Sequence, residues 1–217
     1  TDEKTWAGYV RTGRDRTRQR VTDFVDGMVD RYMEDAVLIG AAEHYMLEQE
    51  HRRSVELLGR VLETDPDNVA VLVKLADVLS AEGSPELAGA VDRLLALDPD
   101  NARALFHQAN VRSNDGRYDE AIDIVGRSIE IDPRNMRARN LLAILYSVTL
   151  QHDRADSEFL DVLEADPADA ISFNNYGTFL LDRGRYDEAM DQFERAIDLD
   201  PENAVAYINR GVVYQNL

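Results

Sequence analysis

A chain of 217 residues, 44% of them hydrophobic, is long enough to bury a core, which excludes wholesale disorder. A formal net charge of -18 argues against nucleic acid as a partner over most of the surface. The absence of cysteine excludes disulfides, thiolate metal sites and cysteine nucleophiles.

Residues 1–34 combine a basic segment with an amphipathic stretch. Five arginines fall within 11–20, where an aspartate interrupts them and no aromatic residue accompanies them. A solvated segment is therefore favoured over a contact with acidic lipid, RNA or an acidic protein. Apolar residues recurring three and four apart from Val21 to Met33 predict a helix over 17–33. We interpret 1–34 as a helical cap or degenerate repeat; a separate docking helix is the alternative.

The start of the chain says little about its compartment. The sequence begins at Thr1 without an initiator methionine and has no apolar signal-peptide core. We expect a mature form or a piece of a longer chain. A cytoplasmic location is favoured, and a periplasmic or membrane-tethered one stays open through a segment upstream.

Five Asp-Pro pairs recur along the chain at a nearly constant interval. The pairs are Asp65-Pro66, Asp98-Pro99, Asp132-Pro133, Asp166-Pro167 and Asp200-Pro201. The hexapeptide GRYDEA also occurs twice, at 116–121 and 184–189, which is two such intervals apart. A regular period of about 34 residues indicates stacked structural repeats.

Each unit between prolines has the pattern of two helices. In 170–203 an apolar stripe runs from Phe173 to Leu180, and Gly184 then interrupts it where a helix is expected to end. A second stripe begins at Ala189 and stops at Asp200-Pro201, because a proline disfavours helix at the residue before it.

This pattern resembles the tetratricopeptide repeat, a helix-turn-helix unit of about 34 residues. The residues that match best are Phe173, Tyr176, Gly177, Leu180, Ala189, Phe193, Ala196 and Pro201. The resemblance implies an all-α, right-handed superhelical solenoid with units 35–68, 69–101, 102–135, 136–169, 170–203 and a partial 204–217. It also implies a concave face, formed by the first helix of each unit, that binds extended peptides or partner helices.

Polar residues at matching positions of the first helices are the candidate binding residues in repeats 3 to 6. They are Arg103, His107, Asn110, Arg137, Asn140, Asn174, Asn175 and Asn209. Asparagine can form two hydrogen bonds with a peptide backbone, and arginine can grip a carboxylate through two parallel bonds. We therefore expect a groove that holds an extended, acidic protein segment, with Arg103, Arg137, Asn140 and Asn174 as the most informative positions.

The sequence contains no recognisable arrangement of catalytic or metal-binding residues. His44 and His51 lie seven residues apart, but a turn is expected between them and no third metal ligand has suitable spacing. No phosphate-binding glycine loop and no nucleophile-base arrangement is recognisable. We expect neither catalysis nor a metal or cofactor.

Three functions are consistent with these features. The first is a scaffold or adaptor that holds a partner protein segment and organises a complex. The second is self-assembly through the C-terminal end, where Tyr207, Gly211 and Tyr214 form an apolar stripe with no following helix. The third is a recruiting domain of a larger enzyme. Membrane contact is expected only through a partner or the basic 11–20 segment.

Overall fold

Regular secondary structure in the computed structural model, which describes residues 17–29 and 35–216, is entirely helical. These residues form α1 (17–29), α2 (Asp35–Leu47), α3 (His51–Thr64), α4 (Val69–Glu82), α5 (Leu87–Leu97), α6 (Ala102–Asn114), α7 (Tyr118–Ile131), α8 (Met136–Val148), α9 (His152–Ala165), α10 (Ala170–Asp182), α11 (Tyr186–Leu199) and α12 (Ala204–Asn216). The predicted all-α class is confirmed. We call the even-numbered helices from α2 onward first helices and the odd-numbered ones from α3 onward second helices.

The Asp-Pro pairs end the second helices. Each second helix in the described part of the chain stops at the residue directly before one of these pairs. A short turn follows, and an asparagine or aspartate then begins the next first helix. The side-chain oxygens of Asn68, Asn101 and Asn135 accept hydrogen bonds of 3.0–3.1 Å from the backbone N–H three residues on. This satisfies an amide that would otherwise lack a partner at the start of the helix.

The turn between first and second helix uses a left-handed backbone conformation at one repeat position. Gly83, Gly116 and Gly184 have φ of 67°, 75° and 71° there, and α10 ends just before Gly184, where the sequence predicted the end of a helix. The two other turns place Gln49 and Leu150 in the same conformation, with φ of 61° and 62°. Because a side chain makes this conformation costly, these two turns are strained.

The chain divides into two compact units, Thr1–Leu97 and Asp98–Leu217. In the first unit, α1 makes polar contacts with α2 and the turn that follows it: the Tyr45 hydroxyl of α2 donates to Asp26, and Arg18 pairs with Glu48 of the turn. The predicted helix is confirmed over 17–29, whereas 30–33 and the basic residues 11–16 lie outside the described residues. Its apolar stripe is not fully buried, since Phe24 is 67% exposed.

In the second unit each first helix packs against the second helix that follows it, and α12 packs against α11. The core contains the fully buried Phe159 and Phe193 with small residues between the helices. At Gly177 the backbone of α10 comes so close to α11 that an added Cβ would lie 2.7 Å from the Phe193 ring. The missing side chain of Gly177 thus allows the two helices to come together.

Candidate functional site

The first helices of the second unit lie side by side. α6 contacts α8, α8 contacts α10, and α10 contacts α12. We call the exposed sides of these four helices the first-helix surface. The eight candidate binding residues all belong to these four helices.

Asparagines on neighbouring first helices hydrogen bond to one another. The Asn140 amide donates to the Ser172 hydroxyl at 2.8 Å, and Asn175 donates to the Asn140 oxygen at 3.3 Å. One repeat later, Asn209 donates to the Asn174 oxygen at 3.1 Å. These contacts fix the register of α8, α10 and α12.

The structure therefore divides the eight candidate residues into three groups. Asn140 and His107 are buried, at 7% and 3% exposure, so they present little surface to a partner. Asn110, Asn174, Asn175 and Asn209 are half-buried. Arg103 and Arg137 are exposed.

Arg103 and Arg137 belong to a row with one residue on each first helix. The same repeat position is Ile171 in α10 and Val205 in α12, each one repeat further along the chain. Ile171 is 64% exposed and Val205 is 55% exposed. These two residues were not among the residues predicted from the sequence, although the constant repeat interval from Arg137 leads to both of them.

Charge in the second unit is separated by helix type. α6, α8, α10 and α12 carry five arginines and a single carboxylate, Asp182 at the end of α10. α7, α9 and α11 carry fourteen carboxylates and three arginines. The first-helix surface is therefore an uncharged to basic surface in a strongly acidic unit.

A polar cluster joins the second helices to their neighbours. The Tyr176 hydroxyl of α10 donates to Asp156 of α9 at 3.0 Å, and Arg185 binds Asp156 at 2.9 Å and Glu188 at 2.6 Å. Burial, followed by the hydrogen bond to Asp156, raises the pKa of Tyr176 to about 12. The hydrogen bonds from Arg185 lower the pKa of Glu188. These shifts favour the neutral phenol of Tyr176 and the charged carboxylate of Glu188, which suits a structural role.

Neither a metal centre nor a membrane span is found in the described residues. No group of three histidine or carboxylate side chains among them is arranged to hold a metal ion. None of the helices described is both long and apolar enough to cross a membrane.

Sequence models of repeat families match three ranges of the chain. The family described as "TPR repeat" matches 177–217, and the one described as "Tetratricopeptide repeat" matches 90–123 and 158–191. No curated protein matches the sequence.

Several solved structures share the fold. TTC0263, a thermophilic TPR protein of Thermus thermophilus, is 14% identical, with a TM-score of 0.73 over 84% of this chain and 100% of its own. YrrB, described as a TPR protein with an unusual peptide-binding site, is 20% identical, with a TM-score of 0.54 over 87% and 97%. MamA is also 20% identical, with a TM-score of 0.56 over 78% and 93%. At these identities the likeness is one of fold: an all-α solenoid of helical repeats.

Proposed function

Since the chain is a tetratricopeptide-repeat protein, we propose that it is a non-catalytic scaffold that binds a segment of a partner protein on its first-helix surface. Repeats of this family serve in general as protein-interaction modules. The finer proposal concerns this chain: the partner lies across α6, α8, α10 and α12, and the bound segment brings its parent protein into a complex.

The separation of charge between first and second helices carries this proposal. Fourteen carboxylates keep the second helices solvated, whereas the first helices expose arginine and aliphatic side chains. Exposed apolar residues gathered on one surface, together with polar groups, are typical of a protein-binding site. Among the solved structures, the description of YrrB mentions a peptide-binding site, which is consistent with this use of the fold.

The candidate residues take three roles in this proposal. Arg103 and Arg137 contact the partner, and the half-buried Asn174, Asn175 and Asn209 offer the hydrogen-bonding capacity that their mutual contacts leave over. The Asn110 amide donates a 3.0 Å hydrogen bond to the Phe106 carbonyl of its own helix. Its oxygen and its second N–H can take part in binding the partner. Asn140 and His107 support the surface from beneath.

Site-specific photo-crosslinking in an extract of the source cells tests the location. A crosslinking amino acid at Ile171 should capture a partner protein, which mass spectrometry then identifies. The same amino acid at Leu160, a half-exposed side chain on the second helix α9, is the matched control. Capture through Leu160 alone, or through neither position, would contradict the proposal.

Substitution of the two arginines tests whether they contact the partner. Arg103→Ala combined with Arg137→Ala should weaken capture of the identified partner, because two exposed cations are lost from the surface. The thermal melting curve should stay nearly unchanged, since neither side chain is buried. Equal capture by the double variant would remove these two residues from the site.

Self-assembly is a second candidate, favoured by exposed aromatic residues on α12. Tyr207 and Tyr214 are 43% and 62% exposed, whereas Leu180, one repeat before Tyr214, is fully buried. A second copy of the chain packing on this side of α12 would cover them. The mass in solution, measured over a range of concentrations, decides the question: a monomer at high micromolar concentration would rule self-assembly out.

A further inference from the structure

The first-helix surface changes its chemistry along its length. At one repeat position, α6 and α8 expose Arg103 and Arg137, whereas α10 and α12 expose Ile171 and Val205. Consecutive helices in this order are in contact. The row therefore runs from two cationic side chains to two aliphatic ones.

The amide network fixes the register of three helices in this row. Residues three or four apart on a helix share a side, so Ile171 lies near Asn174 and Val205 lies near Asn209. The Asn209 amide donates to the Asn174 oxygen at 3.1 Å and to the Thr178 hydroxyl at 3.3 Å. These two hydrogen bonds fix the position of α12 along α10. The hydrogen bond from Asn175 to Asn140 does the same for α8 and α10.

The apolar end of the row is broader than its two residues. On α12, Val205 continues into Ile208 and Val212, at spacings of three and four. Ile208 is 65% exposed, so this stripe faces away from the core. No carboxylate lies on α6, α8 or α12, and Asp182 ends α10.

We propose that the bound segment is polarised along its length, with acidic residues over α6 and α8 and aliphatic residues over α10 and α12. This inference rests on the proposed function. Charge complementarity supports it: the fourteen carboxylates of α7, α9 and α11 repel an acidic segment, and the arginines attract it to one end of the surface. The aliphatic residues of the segment then bury Ile171 and Val205.

The distance between neighbouring first helices determines how many residues of the bound segment separate one contact from the next. Packed helices lie about 8–10 Å apart and an extended chain advances roughly 3.3–3.6 Å per residue, so adjacent helices are about three residues apart along the segment. The preferred segment therefore has two acidic and two aliphatic side chains, each about three residues from the next.

Fluorescence anisotropy with synthetic peptides and the full chain tests this order. The probe peptide has two glutamates followed by two leucines, each about three residues from the next, with serine and glycine between them. A second probe has the reverse order, since the direction of the backbone is not fixed by the row. The composition-matched control alternates glutamate and leucine at the same positions. We expect one of the two segregated peptides to bind about tenfold more tightly than the alternating one, the effect of roughly one good contact.

Two double variants test which residues of the protein bind the acidic end and the aliphatic end of the peptide. Ile171→Ser with Val205→Ser should remove the advantage of the segregated peptide while leaving the weakening of binding by sodium chloride in place. Arg103→Ala with Arg137→Ala should instead remove most of that salt dependence. Leu160→Ser, an exposed aliphatic residue lost from a second helix, should change neither. Circular dichroism melting establishes that each variant is folded.

Equal binding of segregated and alternating peptides would overturn the inference, as would no measurable binding of either segregated peptide. Crosslinking of a natural partner through Ile171 would then still support the proposed function. Absence of both peptide binding and crosslinking would reject both.

Discussion

Two glycines at the same repeat position meet different surroundings. An added Cβ at Gly177 would lie 2.7–3.0 Å from three atoms of the Phe193 ring, and Phe193 is fully buried. At Gly211, one repeat later, nothing lies within 4 Å of the added atom. The same substitution at the two positions therefore separates packing from helix propensity.

We predict that Gly177→Ala destabilises the protein and that Gly211→Ala does not. Alanine gains about 1 kcal/mol in helix propensity, but overpacking a core costs roughly 1–3 kcal/mol, so Gly177→Ala should lose up to about 2 kcal/mol. Gly211→Ala should gain up to about 1 kcal/mol. Urea unfolding followed by circular dichroism measures both. Stabilisation by Gly177→Ala would contradict the close approach of α10 and α11.

The raised pKa of Tyr176 predicts that the folded protein loses stability at alkaline pH. Its pKa in the folded protein is about 12, above the ordinary value of 10.0, because burial and Asp156 favour the neutral phenol. The stabilisation is complete below pH 10 and is lost as the pH rises towards 12. Tyr176→Phe should melt at a temperature that falls less steeply over this range. Tyr45, whose pKa burial also raises to about 12, leaves the variant a remaining pH dependence. Equal slopes in the two proteins would contradict the assignment.

The sequence predicted the exposed cations better than the amides. Arg103 and Arg137 lie at the surface, whereas Asn140 is buried between α8 and α10. The repeat interval identifies every set of equivalent residues in successive repeats, whether those residues face solvent or form hydrogen bonds with the next helix. The interval alone does not distinguish the two, because burial depends on how closely neighbouring helices approach.

At the scale of the helices, most of the fold could be predicted from the Asp-Pro pairs. They set the ends of the second helices, since proline cannot continue the backbone pattern. The turns were harder to predict, because glycine fills the left-handed position in three of them and Gln49 and Leu150 in two. Where tertiary packing imposes the turn, the local residue carries no signal of it.

Leu150 supplies a prediction at this scale. A side chain in the left-handed conformation costs about 1–2 kcal/mol, and glycine relieves this cost at an entropic expense of roughly 0.5–1 kcal/mol. Leu150 is 75% exposed, so little packing is lost with its side chain. Leu150→Gly should therefore stabilise the protein by about 0.5–1 kcal/mol in urea unfolding.

The reciprocal change is the control. Gly184 has φ of 71° with open space around it, so Gly184→Ala adds strain without a clash. We expect a loss of about 1 kcal/mol there. Destabilisation by Leu150→Gly would show that the leucine makes contacts worth more than the strain of its turn.

At the scale of the whole molecule, 42 acidic against 24 basic residues make repulsion between carboxylates a general cost of folding. Ion pairs such as Arg117 with Glu120 and Arg185 with Glu188 offset part of it, but exposed pairs contribute little. The net effect of screening should therefore be stabilising. Partner binding through Arg103 and Arg137 should respond in the opposite sense, since salt screens an attraction there.

We predict that sodium chloride raises the melting temperature while it weakens binding of the acidic end of a partner. A rise of a few degrees corresponds to about 1–2 kcal/mol for a chain of this size. Sodium chloride is preferable to a sulfate, which strengthens apolar burial in any protein. The variant Asp123→Asn, Asp161→Asn, Asp191→Asn removes three exposed carboxylates, one from each of α7, α9 and α11. It should melt higher at low salt and respond less to added salt. A melting temperature that falls with sodium chloride would mean that attractive ion pairs outweigh the repulsion in this fold.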